Sequence, residues 1–321
     1  MKWTQLPTIP DKEGFAAPFA GVSHGSLLVA GGANFPDKKP WEGGVKVWYK
    51  TVFALGSPEG KWVRVGDLPR PLGYGVSVTY RERVICVGGS DSASHLAECF
   101  SLELLKGKLI VKPLPSLPYP MANGCGALVG SVLYVAGGQE KPDSTTSLNR
   151  AVTLDLSDPA AQWKEMASLP GPGRILATAA SKDGAFWIMG GAELSPGPNG
   201  SAVRRYLSDA YRFTPGRGWE RVVDMPHPVV AAPSPAPVSG DEIWILGGDD
   251  GSKVGTPPSS HPGFPRTTLR FNTESGSWST GDPMPVGRVT VPTAFWKDGW
   301  VIPNGEDRPG IRSPEVWMIK L

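Results

Sequence analysis

An apolar strand closed by a pair of glycines recurs along this chain. It reads LLVAGG ending at Gly32, VICVGG at Gly89, LYVAGG at Gly138, FWIMGG at Gly191 and IWILGG at Gly248, with a variant sixth copy, WVIPNG, at Gly305. Neighbouring copies are 49 to 57 residues apart. A fixed period of that size marks one supersecondary unit repeated along the chain, none of which can bury its apolar faces alone. A second marker keeps the same phase: a tryptophan stands seven residues before a proline in Trp3–Pro10, Trp62–Pro69, Trp163–Pro170, Trp219–Pro226 and Trp278–Pro285, while the remaining copy has Val111 before Pro118. A tryptophan at this phase reads as a wedge between adjacent units.

Each repeat parses into four strands, a to d. In the fourth, strand a is expected over 175–180, b over 186–189, c over 206–213, and d from Trp219. Hairpin residues mark the a–b turns, among them His24-Gly25, Lys182-Asp183-Gly184 and Lys297-Asp298-Gly299. Six such sheets bury their faces only when closed into a ring. The last repeat, from Val289, runs out at Leu321 after three strands, and Met1–Leu6 supplies the fourth, with Trp3 as its wedge. The expected fold is therefore all-β: a six-bladed kelch-type β-propeller over residues 1–321, one domain, its last blade closed by the N-terminal strand.

Composition agrees with many short strands and many turns: 41 Gly and 34 Pro in 321 residues, with 40% hydrophobic residues. The net charge of +2 gives no reason to expect a nucleic-acid or membrane partner. The N-terminus lacks the apolar region of a signal peptide, and no run reaches the ~18 apolar residues of a membrane span. A cytoplasmic location is expected, or a periplasmic one if the N-terminus is already processed. Cys86, Cys99 and Cys125 lack metal-ligand spacing and read as buried thiols.

Strand direction puts the a–b and c–d turns on one face and the b–c and d–a loops on the other. The long polar loops, such as 192–205 and 249–266, are b–c loops, so a site is expected on that face at the mouth of the central channel. Asn34, Glu140, Glu193, Asp249 and Glu306 follow the glycine pairs, and Arg70, Arg174 and Arg288 come from d–a segments. The loop Asn304-Gly305-Glu306-Asp307-Arg308-Pro309-Gly310-Ile311-Arg312 stands apart. Its Pro-Gly turn folds Arg312 back towards Glu306, so that both can face one ligand. A guanidinium beside a carboxylate favours the ionised, proton-accepting form, and can itself bind a substrate carboxylate.

These segments resemble the bacterial N-acetylneuraminate epimerases, the sialic acid mutarotases, in cyclically permuted form. The resemblance rests on GFAAPFAGVSHGSLLVAGGANF (14–35), YGVS (74–77), GPGRILATAA (171–180) and above all NGEDRPGIRS (304–313). It implies a six-bladed kelch propeller that speeds interconversion of the α and β anomers of N-acetylneuraminate, with Glu306 as proton acceptor and Arg312 as its companion. Arg174 falls on a matching arginine; Arg288 is a candidate on topology alone. The expected substrate contacts are Arg174, Arg288, Asn34, Asn304 and Tyr74. No cofactor or metal is expected, the partner is a sialic acid or related acidic sugar, and the protein is a monomer or homodimer. Two readings stay open beside this one. One is a non-enzymatic kelch module that binds a protein, favoured by a flat apolar rim and disfavoured by a pocket holding Glu306 and Arg312. The other is a different sugar enzyme. A sialidase would need a tyrosine nucleophile and Asp-box repeats, and a copper oxidase would need histidine ligands that His24, in an a–b turn, cannot supply.

Overall fold

The computed structural model describes residues 1–321. It contains six antiparallel four-stranded sheets, each with its strands in the order a-b-c-d from the centre outwards. Blade one is Phe19–Ser23, Ser26–Ala30, Thr51–Leu55 and Val63–Asp67; blade four is Thr178–Lys182, Ala185–Met189, Ala210–Thr214 and Gly218–Val222. Blade six joins both ends of the chain: Ala294–Trp296, Gly299–Pro303 and Val316–Lys320 are completed by Lys2–Leu6, in a register running from Lys2 opposite Lys320 to Leu6 opposite Val316. The all-β six-bladed propeller expected from the glycine pairs is the observed fold. No helix is long and apolar enough to cross a membrane.

One expectation within blade four is corrected. Strand c begins at Ala210, not at Tyr206, because Ala202–Tyr206 pairs instead with Ala192–Pro196 as a separate two-stranded ribbon rising from the b–c loop.

The core consists of six layers, one between each pair of blades. Phe19, Leu28 and Val52 of blade one pack on Val84, Cys86 and Phe100 of blade two, and Trp187 and Met189 of blade four pack on Ile245 and Phe271 of blade five. Leu6, Val301 and Val316 close the circle against Leu27 and Leu55 of blade one. The three cysteines are buried and unpaired, and burial pushes the Cys99 and Cys125 thiols up to about 11 and about 12.

The tryptophan wedges also tie the blades by hydrogen bonds. Trp62, Trp163, Trp219 and Trp278 each donate their indole N–H to a carbonyl of the preceding blade, those of Pro7, Pro115, Ala167 and Val223, at 2.8 to 3.0 Å. Trp219→Phe keeps an aromatic contact with Phe186 and Phe213 and removes this bond together with part of the ring. It is expected to lower the unfolding free energy by about 1 kcal/mol, read as a lower urea midpoint; an unchanged midpoint would show that the bond carries no net stability.

At the centre, each blade begins with a residue in the left-handed region: Ala17, Tyr74, Asn123, Leu176, Ala231 and Thr290, with φ between 47° and 62°. Each donates its N–H to the carbonyl of its counterpart in the preceding blade, from Tyr74 to Ala17 and onwards to Ala17 and Thr290, at 2.7 to 3.0 Å. The six bonds form a closed ring around the channel. One step before each ring residue, the backbone pairs with the residue that follows a glycine pair. Ala16 meets Ala33, Gly73 meets Ser90, Ala122 meets Gln139, Ile175 meets Ala192, Val230 meets Asp249 and Val289 meets Glu306. The ring is thus a floor, and Ala33, Ser90, Gln139, Ala192, Asp249 and Glu306 form a tier directly above it.

The glycine pairs make this stacking possible. Gly137 has φ +69°, and a Cβ there would stand 2.5 Å from the Arg174 carbonyl, a conformation and an approach that side chains oppose. In the sixth copy Asn304 takes the corresponding place with φ 75°; asparagine is among the residues that tolerate it.

Candidate active site

Above the floor lies a cavity of ≈ 570 Å³, within the range of small-molecule sites. Its floor includes Tyr74, Asn123, Leu176, Ala231 and Thr290, and its wall includes Ser90, Gln139, Asp249 and Glu306 of the tier above. It opens on the b–c/d–a side, where Lys46, Arg204 and Lys253 line it from the loops.

Glu306 enters the cavity because a short hairpin, Glu306–Arg308 paired with Ile311–Arg312, is set directly on the sixth blade's glycine step. The hairpin register puts Arg312 opposite Glu306, and Arg312 Nη2 stands 3.2 Å from Glu306 Oε1. The guanidinium is almost wholly buried and lies over the Phe35 ring, 4.8 Å from its centre. Its Nε and Nη1 are buried without a hydrogen-bond partner. Glu306 faces the cavity while Arg312 is absent from its lining. The arginine therefore acts on the carboxylate from one side, leaving the other side open to a ligand.

Tyr74 lies on the floor and lines the cavity; its hydroxyl is buried without a partner. Asn304 is fully buried, and neither its Nδ2 nor its Oδ1 has a partner. Asn34 is placed differently. It is fully buried, its Nδ2 donates to Asp11 Oδ1 and the Gly14 carbonyl at 3.1 and 2.9 Å, and its Oδ1 accepts from the Tyr49 hydroxyl at 2.9 Å. These bonds fasten the chain segment leading into blade one, and Asn34 is not part of the cavity lining.

Arg174 and Arg288 do not reach the cavity either. Each stands two residues before a floor residue, a position held in the other blades by Phe15, Leu72, Met121 and Val229, all buried. The arginines thus take the place of core side chains; Arg174 meets a largely buried carboxylate, whereas the carboxylates that meet Arg288 are partly exposed. Arg174 grips Asp209 as a fork, Nη1 to Oδ1 and Nη2 to Oδ2, both at 2.8 Å, and Nη1 also donates to the Gly190 carbonyl at 3.0 Å. Burial pushes the Asp209 carboxyl upward, but the Arg174 hydrogen bonds and charge, with the Tyr211 hydroxyl, outweigh it and hold the group below the usual carboxylate range. Arg288 donates to Asp307, Ser313 and Glu315 at 3.0, 2.7 and 2.5 Å. It braces both ends of the hairpin that carries Glu306 and Arg312.

Two groups that sequence reasoning did not place in the site, Tyr206 and His95, belong to its wall, together with Asp249, which the sequence offered only as one of the residues following the glycine pairs. Asp249 holds the same tier position in blade five that Glu306 holds in blade six. The Tyr206 hydroxyl donates to its Oδ2 at 2.7 Å. Burial first, and then the Asp249 carboxylate, raise that hydroxyl well above the usual tyrosine range, so it stays protonated. His95, at the blade-two side, is pushed down to about 4 by burial and is neutral at physiological pH. Its Nε2 accepts from the Gln139 amide at 3.2 Å, which leaves the ring proton on Nδ1. The signal for Asp249 was the glycine pair itself, since the residue one step beyond the pair is the one that points inward.

A family model described as N-acetylneuraminate epimerase matches residues 1–111 and 114–256. A Haemophilus influenzae (strain 86-028NP) protein described as N-acetylneuraminate epimerase is 29% identical over 232 residues, 64% of this chain and 59% of that protein. A Salmonella enteritidis protein with the same description is 38% identical over 125 residues, 35% of this chain and 32% of its own. The matched stretches thus span less than two thirds of these relatives' length. The solved structure described as "Structure of YjhT" superposes with a TM-score of 0.71 at 16% identity, covering 98% of this chain and 97% of that one, and so shares the fold. On the extent of the family match, the chain belongs to the N-acetylneuraminate epimerase family.

Proposed function

We propose that this protein catalyses interconversion of the α and β anomers of N-acetylneuraminate or a closely related sialic acid. The observation that carries this reading is Glu306: a carboxylate open to a cavity on one side and held by Arg312 on the other. Anomerisation needs a base for the anomeric hydroxyl proton and an acid for the ring oxygen. Glu306 takes the hydroxyl proton as the bond from the anomeric carbon to the ring oxygen breaks and a carbonyl forms. The same proton is delivered to the ring oxygen, giving the open-chain form. Rotation about the bond to the carbonyl carbon and the reverse steps close the ring on the other face. Glu306 ends in its starting state and no other reactant is consumed. Arg312 is a positioning residue, aligning the carboxylate and stabilising its charge. Asp249 and the Tyr206 hydroxyl, beside Glu306 on the adjoining blade, offer the sugar hydroxyls an acceptor and a fixed neighbour.

A binding module without catalysis would be better served by a flat apolar rim. The polar tier of Ser90, Gln139, Asp249 and Glu306 inside a concave cavity favours an enzyme. Proton NMR of N-acetylneuraminate freshly released as the α anomer tests the reading. The protein is expected to speed the approach to the anomeric equilibrium in proportion to its concentration. An unchanged rate with folded protein would sink it.

A further inference from the structure

A sugar acid brings a carboxylate as well as hydroxyls, and the arginines first expected to meet it are otherwise engaged. Arg174 is occupied by Asp209 and Arg288 by Asp307 and Glu315. Arg312 lies behind Glu306 on the Phe35 ring. The cavity's own cations are Lys46, Arg204 and Lys253, none of which forms an ion pair within 4.0 Å. Arg204, on the ribbon strand Ala202–Tyr206, and Lys253, on a loop, are exposed at the mouth.

Lys46 alone is seated. It immediately precedes the strand Val47–Trp48, whose pairing with Ala33–Asn34 anchors it beside the floor. Its Nζ lies 4.5 Å from the centre of the Tyr74 ring and 5.0 Å from that of Trp48. The two aromatic faces hold the ammonium without neutralising it, which keeps its charge available for an anion. Both flanking residues also carry a polar atom with nothing to bond: Trp48 Nε1 and the Tyr74 hydroxyl are buried and without a partner. One wall of the cavity therefore carries an unpaired cation seated on two aromatic rings, while Glu306 and Asp249 stand on the wall of blades five and six.

We propose that Lys46, held on the Trp48 and Tyr74 rings, binds the carboxylate of the acidic sugar and is the residue that selects acidic over neutral sugars. This rests on the functional reading above and adds the orientation: the carboxylate lies towards blade one and the reacting hydroxyl towards Glu306. The carboxylate is attached to the anomeric carbon, so a fixed carboxylate leaves that carbon with few positions relative to the base.

Isothermal titration of the full chain with N-acetylneuraminate and with its uncharged methyl ester tests this, alongside Lys46→Met, Lys46→Arg and, as a remote control, Lys108→Met. The wild type and Lys108→Met should bind the acid at least about tenfold more tightly than the ester. Lys46→Met should lose that preference by weakening the acid alone, and Lys46→Arg should retain most of it. Equal binding of acid and ester by the wild type, no binding of either, or an unchanged preference in Lys46→Met would each overturn the proposal. Anomer rates measured on the same samples separate the two readings. A Lys46-dependent preference without rate enhancement would leave the subsite standing and remove the reaction; rate enhancement with a Lys46-independent preference would do the reverse.

Discussion

Glu306→Gln is expected to slow the catalysed approach to anomeric equilibrium by about 10²- to 10⁴-fold, the usual contribution of a positioned acid–base group. The substitution keeps the shape of the side chain and does not touch the backbone bonds between Glu306 and Val289, so floor and tier remain in place. It removes only the capacity to take and return a proton. Arg312→Ala should fall in the same direction through a different route. It empties the space over Phe35 and releases the carboxylate from its 3.2 Å partner, so the base is present but no longer aimed. Stopped NMR or polarimetric time courses would measure both. A Glu306→Gln protein within threefold of the wild-type rate would remove Glu306 from the chemistry.

The second large effect is on stability. Asp209→Ala should lower the unfolding free energy by about 3–5 kcal/mol, because it leaves the fully buried Arg174 guanidinium without its counter-charge. The double variant Arg174→Met, Asp209→Ala should be more stable than Asp209→Ala alone, since methionine is what blade three carries at the equivalent place, as Met121. Denaturation by urea would rank the three proteins, and a double variant no better than the single one would contradict the account. The pair also has a pH signature. The Asp209 carboxyl is held below its ordinary value in the folded protein, so its contribution is complete above the unfolded carboxyl pKa. It is lost as pH falls through the depressed folded value. Asp209→Ala should accordingly show a shallower loss of stability in acid than the wild type.

The glycine pairs and tryptophans made the ring legible because both are forced by geometry that repeats. Every blade needs a left-handed step beside its neighbour's carbonyl, and four of the indoles reach the same kind of acceptor in the blade before. The site was harder to read, because it depends on which way single side chains point. Asn34, Glu140 and Glu193 stand two residues beyond their glycine pairs; Asp249 and Glu306 stand one beyond. In extended backbone that single step turns a side chain to the other face. Asn34 accordingly turns away into the core, and Glu193 pairs with Arg205, while Asp249 and Glu306 line the cavity. Arg174 and Arg288 looked like ligand groups because an arginine in a core position leaves no trace in the alternation of polar and apolar residues. Only the packing shows that Asp209, Asp307 and Glu315 had been set against them. Lys46 was invisible for the opposite reason: its rings come from its own loop and from the next blade, Trp48 and Tyr74, and no local pattern joins them.

The closed circle of hydrogen bonds from Ala17 to Thr290 separates shape from chemistry. Its bonds are made entirely by main-chain atoms, yet the six residues that make them carry side chains as different as those of alanine, tyrosine, asparagine, leucine and threonine. A change at any one of these seats alters what a bound molecule rests on without altering the circle that sets the seat's position. Selection could therefore retune the pocket of such a protein one seat at a time, each trial carrying little risk to the architecture.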